Sequence, residues 1–420
     1  MSSATHLPAL LTPARPDPEA ALPGARALDG LNLFIANIQT AFGPFVAVYL
    51  AGQKWTQVDI GLALSIGTVA TMLSQLPAGA MVDAVRDKRR AAAVGLVAVA
   101  VAALLTALWP ARLAIAIAQV LHGFASCIIG PALAAISLAM VGHAALGPRL
   151  GRNARYGAIG NGAAALLMGL AGSLISERAV FLLAIAFTLP ALGCLPFIPR
   201  LHAATNPAAG TDAPAPSVPA RRPLWRVFAT PALASFAASV FLFHLANAAL
   251  LPIASVQLTR AAGSWGSALV AACIVVPQMV VAAMSPAVGA WAERHGRRLV
   301  LIIGFAALPL RALLFALLPP APLLVAFQAL DGISAASFGV LVPLVAADLT
   351  RGTGRYNLLQ GALGLVAAAG ATLSTALAGL VADRLGTSAA FTLLALAGLA
   401  SVLTIALTMP ETRDIQLAEA

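Results

Sequence analysis

Ionisable side chains are scarce inside the long apolar stretches of this chain, and four stand out: Asp331, His122, His244 and Arg311. Asp29 and Asp348 lie near the ends of such stretches. A charge in apolar surroundings is costly and marks a function by default. A carboxylate in a dry cavity can carry a proton at physiological pH, and imidazole titrates in the same range. A carboxylate and an imidazole facing each other are the least machinery that couples a proton to another event. Asp331, His122 and His244 are therefore the candidate proton carriers, with single helix–helix hydrogen bonds as the plainer role for the histidines. Arg311 lies roughly 10 Å from the end of its helix, so it is expected to snorkel or pair rather than to touch a solute. Amides form a second tier. Gln119, Gln328 and Asn247 lie three residues from His122, Asp331 and His244 respectively, and Asn32, Asn37, Gln39, Gln75, Asn161, Gln278, Asn357 and Gln360 fall elsewhere in the apolar stretches. Buried amides need partners; they line a path or bond one helix to the next.

The elements that hold these groups follow from composition. Of 420 residues, 60% are apolar and 10% charged, and mean hydropathy is +0.92. Soluble domains run near 45–50% apolar and roughly 25% charged, so an ordinary soluble enzyme is excluded. A membrane-crossing helix needs about 20 apolar residues. The apolar runs, bounded by charges or Pro/Gly clusters, give twelve spans: 28–51, 57–82, 91–109, 112–141, 155–175, 179–199, 228–257, 264–292, 298–318, 321–347, 356–382 and 387–409. They are too long and too uniformly apolar for barrel strands. Nineteen Lys and Arg residues fall in the loops and tails on one side, and five on the other. By the excess of positive charge inside, both termini are expected in the cytoplasm. The formal charge of +10 thus reflects membrane orientation, and no nucleic-acid partner is expected. The start of the chain lacks the apolar stretch of a signal peptide. Cys127, Cys194 and Cys273 lie in apolar segments without metal or disulfide spacing.

The five prolines between Ala203 and Pro223 mark a linker. The expected organisation is a tail over 1–27, a six-helix bundle over 28–200, a linker over 201–225, a second bundle over 226–410 and a tail over 411–420. The bundles read as copies. Gln119-Val-Leu-His122-Gly123 matches Gln328-Ala-Leu-Asp331-Gly332 at an offset of 209, and Gly79-Ala-Met-Val-Asp83 matches Gly289-Ala-Trp-Ala-Glu293 at 210. Arg155-Tyr156 and Arg355-Tyr356 open spans five and eleven. Pro44 and Pro252 match at 208, which predicts paired bends. Parallel repeats of this kind place a solute site between the halves near the bilayer midplane.

The loop Gly289-Ala-Trp-Ala-Glu293-Arg294-His295-Gly296-Arg297-Arg298 resembles the signature of the major facilitator superfamily. The matching loop keeps Gly79, Asp83, Arg89 and Arg90, with Ala84 and Arg86 in place of the family's basic residue and glycine. The resemblance implies the superfamily's fold: an all-α integral membrane protein of twelve helices in two pseudo-symmetric bundles. It implies that spans one, four, seven and ten line the cavity, and that Asp83 and Glu293 pair across the bundles as a gate. Two signatures of proton-driven drug exporters are altered. Gln119 stands where their span-four arginine falls, and Gly157, Gly160 and Gly162 lack the span-five proline.

No phosphate-binding loop, HExxH or nucleophile triad spacing appears, so no catalytic residue, metal ligand or cofactor is assigned. The expected energy source is a proton gradient. The expected activity is proton-coupled export of a small organic compound across a bacterial inner membrane, with proton-coupled uptake as the alternative. The expected partners are that solute and the lipid bilayer, and the chain is expected to act as a monomer.

Overall fold

The structure is a computed structural model, and it describes residues 22–42, 44–200, 230–262, 266–317 and 321–413. The expected linker, most of the N-terminal tail and most of the C-terminal tail lie outside the described residues. Among the described residues there are fourteen α-helices and no strand. The first half holds α1 (Ala25–Thr40), α2 (Pro44–Gly52), α3 (Gln57–Ala84), α4 (Lys88–Leu108), α5 (Arg112–Val141), α6 (Leu146–Leu174) and α7 (Glu177–Cys194). The second holds α8 (Pro231–Asn247), α9 (Leu250–Ala262), α10 (Gly266–His295), α11 (Arg297–Leu317), α12 (Ala321–Leu349), α13 (Tyr356–Leu385) and α14 (Thr387–Thr408). With α1–α2 and α8–α9 each counted as one broken span, twelve helices are long and apolar enough to cross a membrane.

The helix starts are written locally. Thr56 caps α3 by accepting from the Asp59 amide at 3.1 Å. Asp87 caps α4 through the Arg89 amide at 3.2 Å, and Ser176 caps α7 through the Ala179 amide at 3.3 Å. The paired bends are helix interruptions. The α1–α2 break ends at Pro44, and the α8–α9 break precedes Pro252. Proline fits the first turn of the resuming helix, where its missing N–H costs nothing. In the second break the freed amide of Ala249 donates to Ser374 Oγ at 3.1 Å.

Close packing repeats between the halves. A β-carbon on Gly123 of α5 would lie 3.0 Å from the Gly67 carbonyl oxygen of α3. One on Gly332 of α12 would lie 2.7 Å from the Pro277 carbonyl oxygen of α10. Both pairs are offset by 209 or 210 residues, so the copies share a crossing that only glycine permits.

Span five departs from its expected start. It begins at Leu146 rather than 155, because Arg149 and Arg152 are satisfied inside the protein instead of in water. Arg149 is fully buried, and both arginines pair with Asp29 of α1, Arg152 at 2.7 Å. Arg149 Nε also donates to Asn153 Oδ1 at 2.9 Å.

One apolar core is built from the first half alone. The other belongs to the second half but takes in Ala134, Ala135, Leu146, Leu150 and Ala158 from α5 and α6. The two bundles are therefore knitted together through α6, at the end of the molecule that carries the α3–α4 and α10–α11 loops.

Candidate transport cavity and gate

That end is shut by two matching contacts. Asp83, at the end of α3, accepts from the backbone of Asn357 at 3.1 Å, from Asn357 Nδ2 at 2.7 Å and from the backbone of Leu358 at 2.8 Å. Its carboxylate thus sits on the first turn of α13, where the unpaired amides and the helix dipole favour negative charge. Glu293, at the end of α10, accepts from the Gly147 amide at the first turn of α6 at 3.1 Å. Each contact joins one bundle to the other, and each is backed by a glycine. A β-carbon on Gly79 would lie 2.8 Å from the carbonyl carbon of Asn357. One on Gly147 would lie 2.7 Å from the Gly289 carbonyl oxygen. Arg155 Nε adds a cross-bundle bond to the Ala282 carbonyl at 2.8 Å. His143, in the α5–α6 loop, lies beside the Ala347 carbonyl of α12.

The basic residues of the two loops serve their own bundles. Lys88 Nζ donates to the Val82 and Val85 carbonyls at 2.6 and 2.8 Å, closing the end of α3. Arg297 does the same for α10 through the Ala292 carbonyl at 2.8 Å, and it pairs with Glu293 at 3.0 Å and Asp348 at 2.9 Å. Arg89 is held by Asp87 and reaches the Ile198 carbonyl at 2.8 Å, and Arg298 bonds the Ala406 carbonyl. Arg90 and Arg294 are exposed, and Gly296 takes the left-handed backbone at φ 89°.

Behind this closed end lies a cavity of about 560 Å³, lined by α1, α3, α5, α6, α12 and α13. Its polar wall is mostly amide, from Asn32, Gln39, Gln75, Asn153, Asn161 and Gln360, with the Ser126 hydroxyl beside them. No charged side chain lines it, and the remainder is mostly small and apolar, with Phe338 its single aromatic ring. Span seven contributes no lining residue. Spans two, five and eleven do, because they converge at the closed end.

None of Asp331, His122, His244, Gln119, Gln328, Asn37 and Asn247 lines this cavity. The structure gathers some of them elsewhere. Asp331 pairs with Arg311, so its partner is an arginine of its own bundle rather than an imidazole. Arg311 is 2% exposed and Asp331 25%. Arg311 also donates to Gln328 Oε1 at 3.0 Å and to Asn247 Oδ1, beside the α8–α9 break. The matching place in the first half, at the same offset of 209, is Ala102. His122 stacks on Phe42 at the α1–α2 break, with centroids 4.0 Å apart and planes 11° apart. Its Nε2 lies 3.2 Å from Oγ of Ser126, which does line the cavity. His244 bonds the Val240 carbonyl at 3.1 Å and meets Phe338 edge-on at 4.8 Å. Gln119 is buried against Gly67, and Asn37 Nδ2 returns to the Leu33 carbonyl at 2.8 Å. Among the described residues no cluster of His, Cys, Asp or Glu could hold a metal ion.

Two repeated bundles, a cavity between them and cross-bundle contacts closing one end define a multi-pass membrane transporter. The chain belongs to the MFS_1 like family, whose model matches residues 27–393; this is a transporter family and not a class of enzymes. It is 37% identical over 394 residues to uncharacterized MFS-type transporters of Mycobacterium tuberculosis, from strains CDC 1551 / Oshkosh and ATCC 25618 / H37Rv. Each alignment covers 93% of this chain and 94% of the relative. The fold is shared with the E. coli fucose:proton symporter, at a TM-score of 0.71 and 13% identity over 92% of this chain and 98% of that one. It is shared too with the human organic anion transporter MFSD10, at 0.68 and 16% over 93% and 100%.

Proposed function

We propose that this chain is a proton-coupled symporter that brings a small organic solute into a bacterial cell by alternating access. The observation that carries this reading is spatial separation. The amide-lined cavity holds no charged side chain, while the Arg311–Asp331 pair lies outside it. Separate sites let solute and proton load together, which is symport. In one state Asp331 is a carboxylate on Arg311; in the other it holds a proton and releases the arginine, so the bonds around the α8–α9 break differ between states. The nineteen-to-five distribution of basic residues supports placing the gate end and both termini in the cytoplasm.

A second reading, export by proton exchange, is favoured by His122. Its bond to cavity-lining Ser126 would make proton and solute compete for one place. Right-side-out vesicles with an imposed pH gradient separate the readings. An acid exterior that drives accumulation of a solute found by growth screening supports uptake, and accumulation in inverted vesicles with an acid interior supports export.

A further inference from the structure

We propose that the cavity takes an uncharged, hydroxyl-rich solute, read chiefly by Gln39 and Gln75. This deepens the transport reading and rests on the cavity being the solute site. Of the six lining amides, four are already engaged. Asn32 donates to the Leu28 carbonyl at 2.7 Å, and Asn153 is held by Arg149 and Ser137. Asn161 accepts from Thr40 at 3.3 Å, and Gln360 donates to Asn357 at 3.4 Å. Gln39 and Gln75 make no side-chain hydrogen bond among the described residues. Both are half-buried, with two donors and an acceptor facing a space large enough for a ligand.

The chemistry of these walls selects by exclusion. A charged solute would leave water for a cavity with no counter-charge, which is costly. An apolar solute would strip water from Gln39 and Gln75 and return no hydrogen bond, which is also unfavourable. Hydroxyl groups donate and accept at once, as amides do, so they match this wall in either direction. Phe338 gives one apolar ring face, and small residues such as Ala36, Ala134, Gly157 and Gly364 leave room on the other walls. Gln75 also belongs to the moving interface. Its side chain lies against Gly364, where a β-carbon would be 2.8 Å from its Cδ. A solute held by Gln75 thereby touches the α3–α13 contact that must part when the gate opens.

The test is ligand-induced thermal stabilisation of the purified full-length protein. The probes are a panel of neutral hexoses and hexitols, the matching hexonates and amino sugars, and apolar compounds of equal size. At least one neutral polyol is expected to raise the unfolding midpoint, and its carboxylate and amine counterparts are not. Gln39→Leu and Gln75→Leu should each weaken that binding about tenfold, with the ligand-free midpoint unchanged. Gln39→Asn and Gln75→Asn should recover part of it. Stabilisation by a hexonate or an apolar compound but by no neutral polyol overturns the proposal, as does a panel that yields no neutral binder or leucine variants that bind like wild type. A polyol that binds through these glutamines yet is not moved into vesicles leaves the site standing and defeats the transport reading instead.

Discussion

Asp83 and Asn357 stand 274 residues apart in the chain and belong to different bundles, yet one carboxylate takes three hydrogen bonds from the turn that Asn357 opens. Glu293 and Gly147 repeat the arrangement in the other direction. The closure is thus made from helix ends, and parting the bundles there would expose two charged acceptors and two first turns together.

Asp83→Asn keeps the shape and removes the charge. A carboxylate on a helix start contributes about 1 kcal/mol, so the closed population should fall roughly fivefold. Transport rate in vesicles should change while the amount of protein in the membrane does not. An unaltered rate would remove the gating role.

Gly79→Val forces α3 away from the Asn357 backbone. The fold should survive, because Gly79 belongs to neither apolar core. Distances between spin labels near residues 85 and 355 should lengthen, and transport should fall at least tenfold. Unchanged distances would show that this crossing is not part of the closure.

Asp331→Asn leaves Arg311, 2% exposed and always charged, without a counter-charge, whereas Arg311→Met leaves Asp331, 25% exposed and able to take up a proton. Breaking a buried pair from one side costs about 3 kcal/mol; the asparagine change should therefore lower stability in denaturant more than the methionine change. Asp331→Asn should abolish dependence on the pH gradient. Gradient-driven accumulation that survives it would place the proton elsewhere.

His143 adds a pH dependence to closure. Burial first, and then the nearby Arg351, hold its imidazole below the ordinary value of about 6.5 while the gate is shut, against a smaller opposing effect of the Ala347 carbonyl. Protonation therefore favours the open form, in which the ring regains water. The closed population should be highest above pH 6.5 and decline as pH falls through that value, and His143→Gln should flatten the profile. Accessibility to a thiol reagent, read from a cysteine placed at 134 on the cavity wall behind the gate, measures it; a profile unchanged in His143→Gln would assign the dependence to another group.

Much of the fold was legible because bilayer thickness sets span length. Nearly every expected span ends within a few residues of its helix, and span four matches α5 from Arg112 to Val141. Span five was misjudged where charge was equated with loop, since Arg149 and Arg152 are spent on Asp29 inside the protein. The loop signature singled out Asp83 and Glu293, and the structure puts both carboxylates across the bundle interface. The cavity was read less well. Attention went to Asp331, His122 and His244, because charge stands out against apolar text. Gln39, Gln75, Asn161 and Gln360 were noticed only as second-tier amides, and Asn153 was missed among the arginines of span five. Which face of an apolar helix looks inward depends on the crossing angles of six helices, and uniformly apolar sequence carries little periodicity to reveal it.

The lone Arg311, set against Ala102 in the other copy, has an electrical corollary. Joined to Asp331 it is neutral; with Asp331 protonated, the same spot bears one net positive charge. A membrane potential acts on that second form alone, by about 2.3 kcal/mol per 100 mV for a full traversal. A carrier built this way would be electrogenic, and its cargo would be drawn by voltage as well as by acidity.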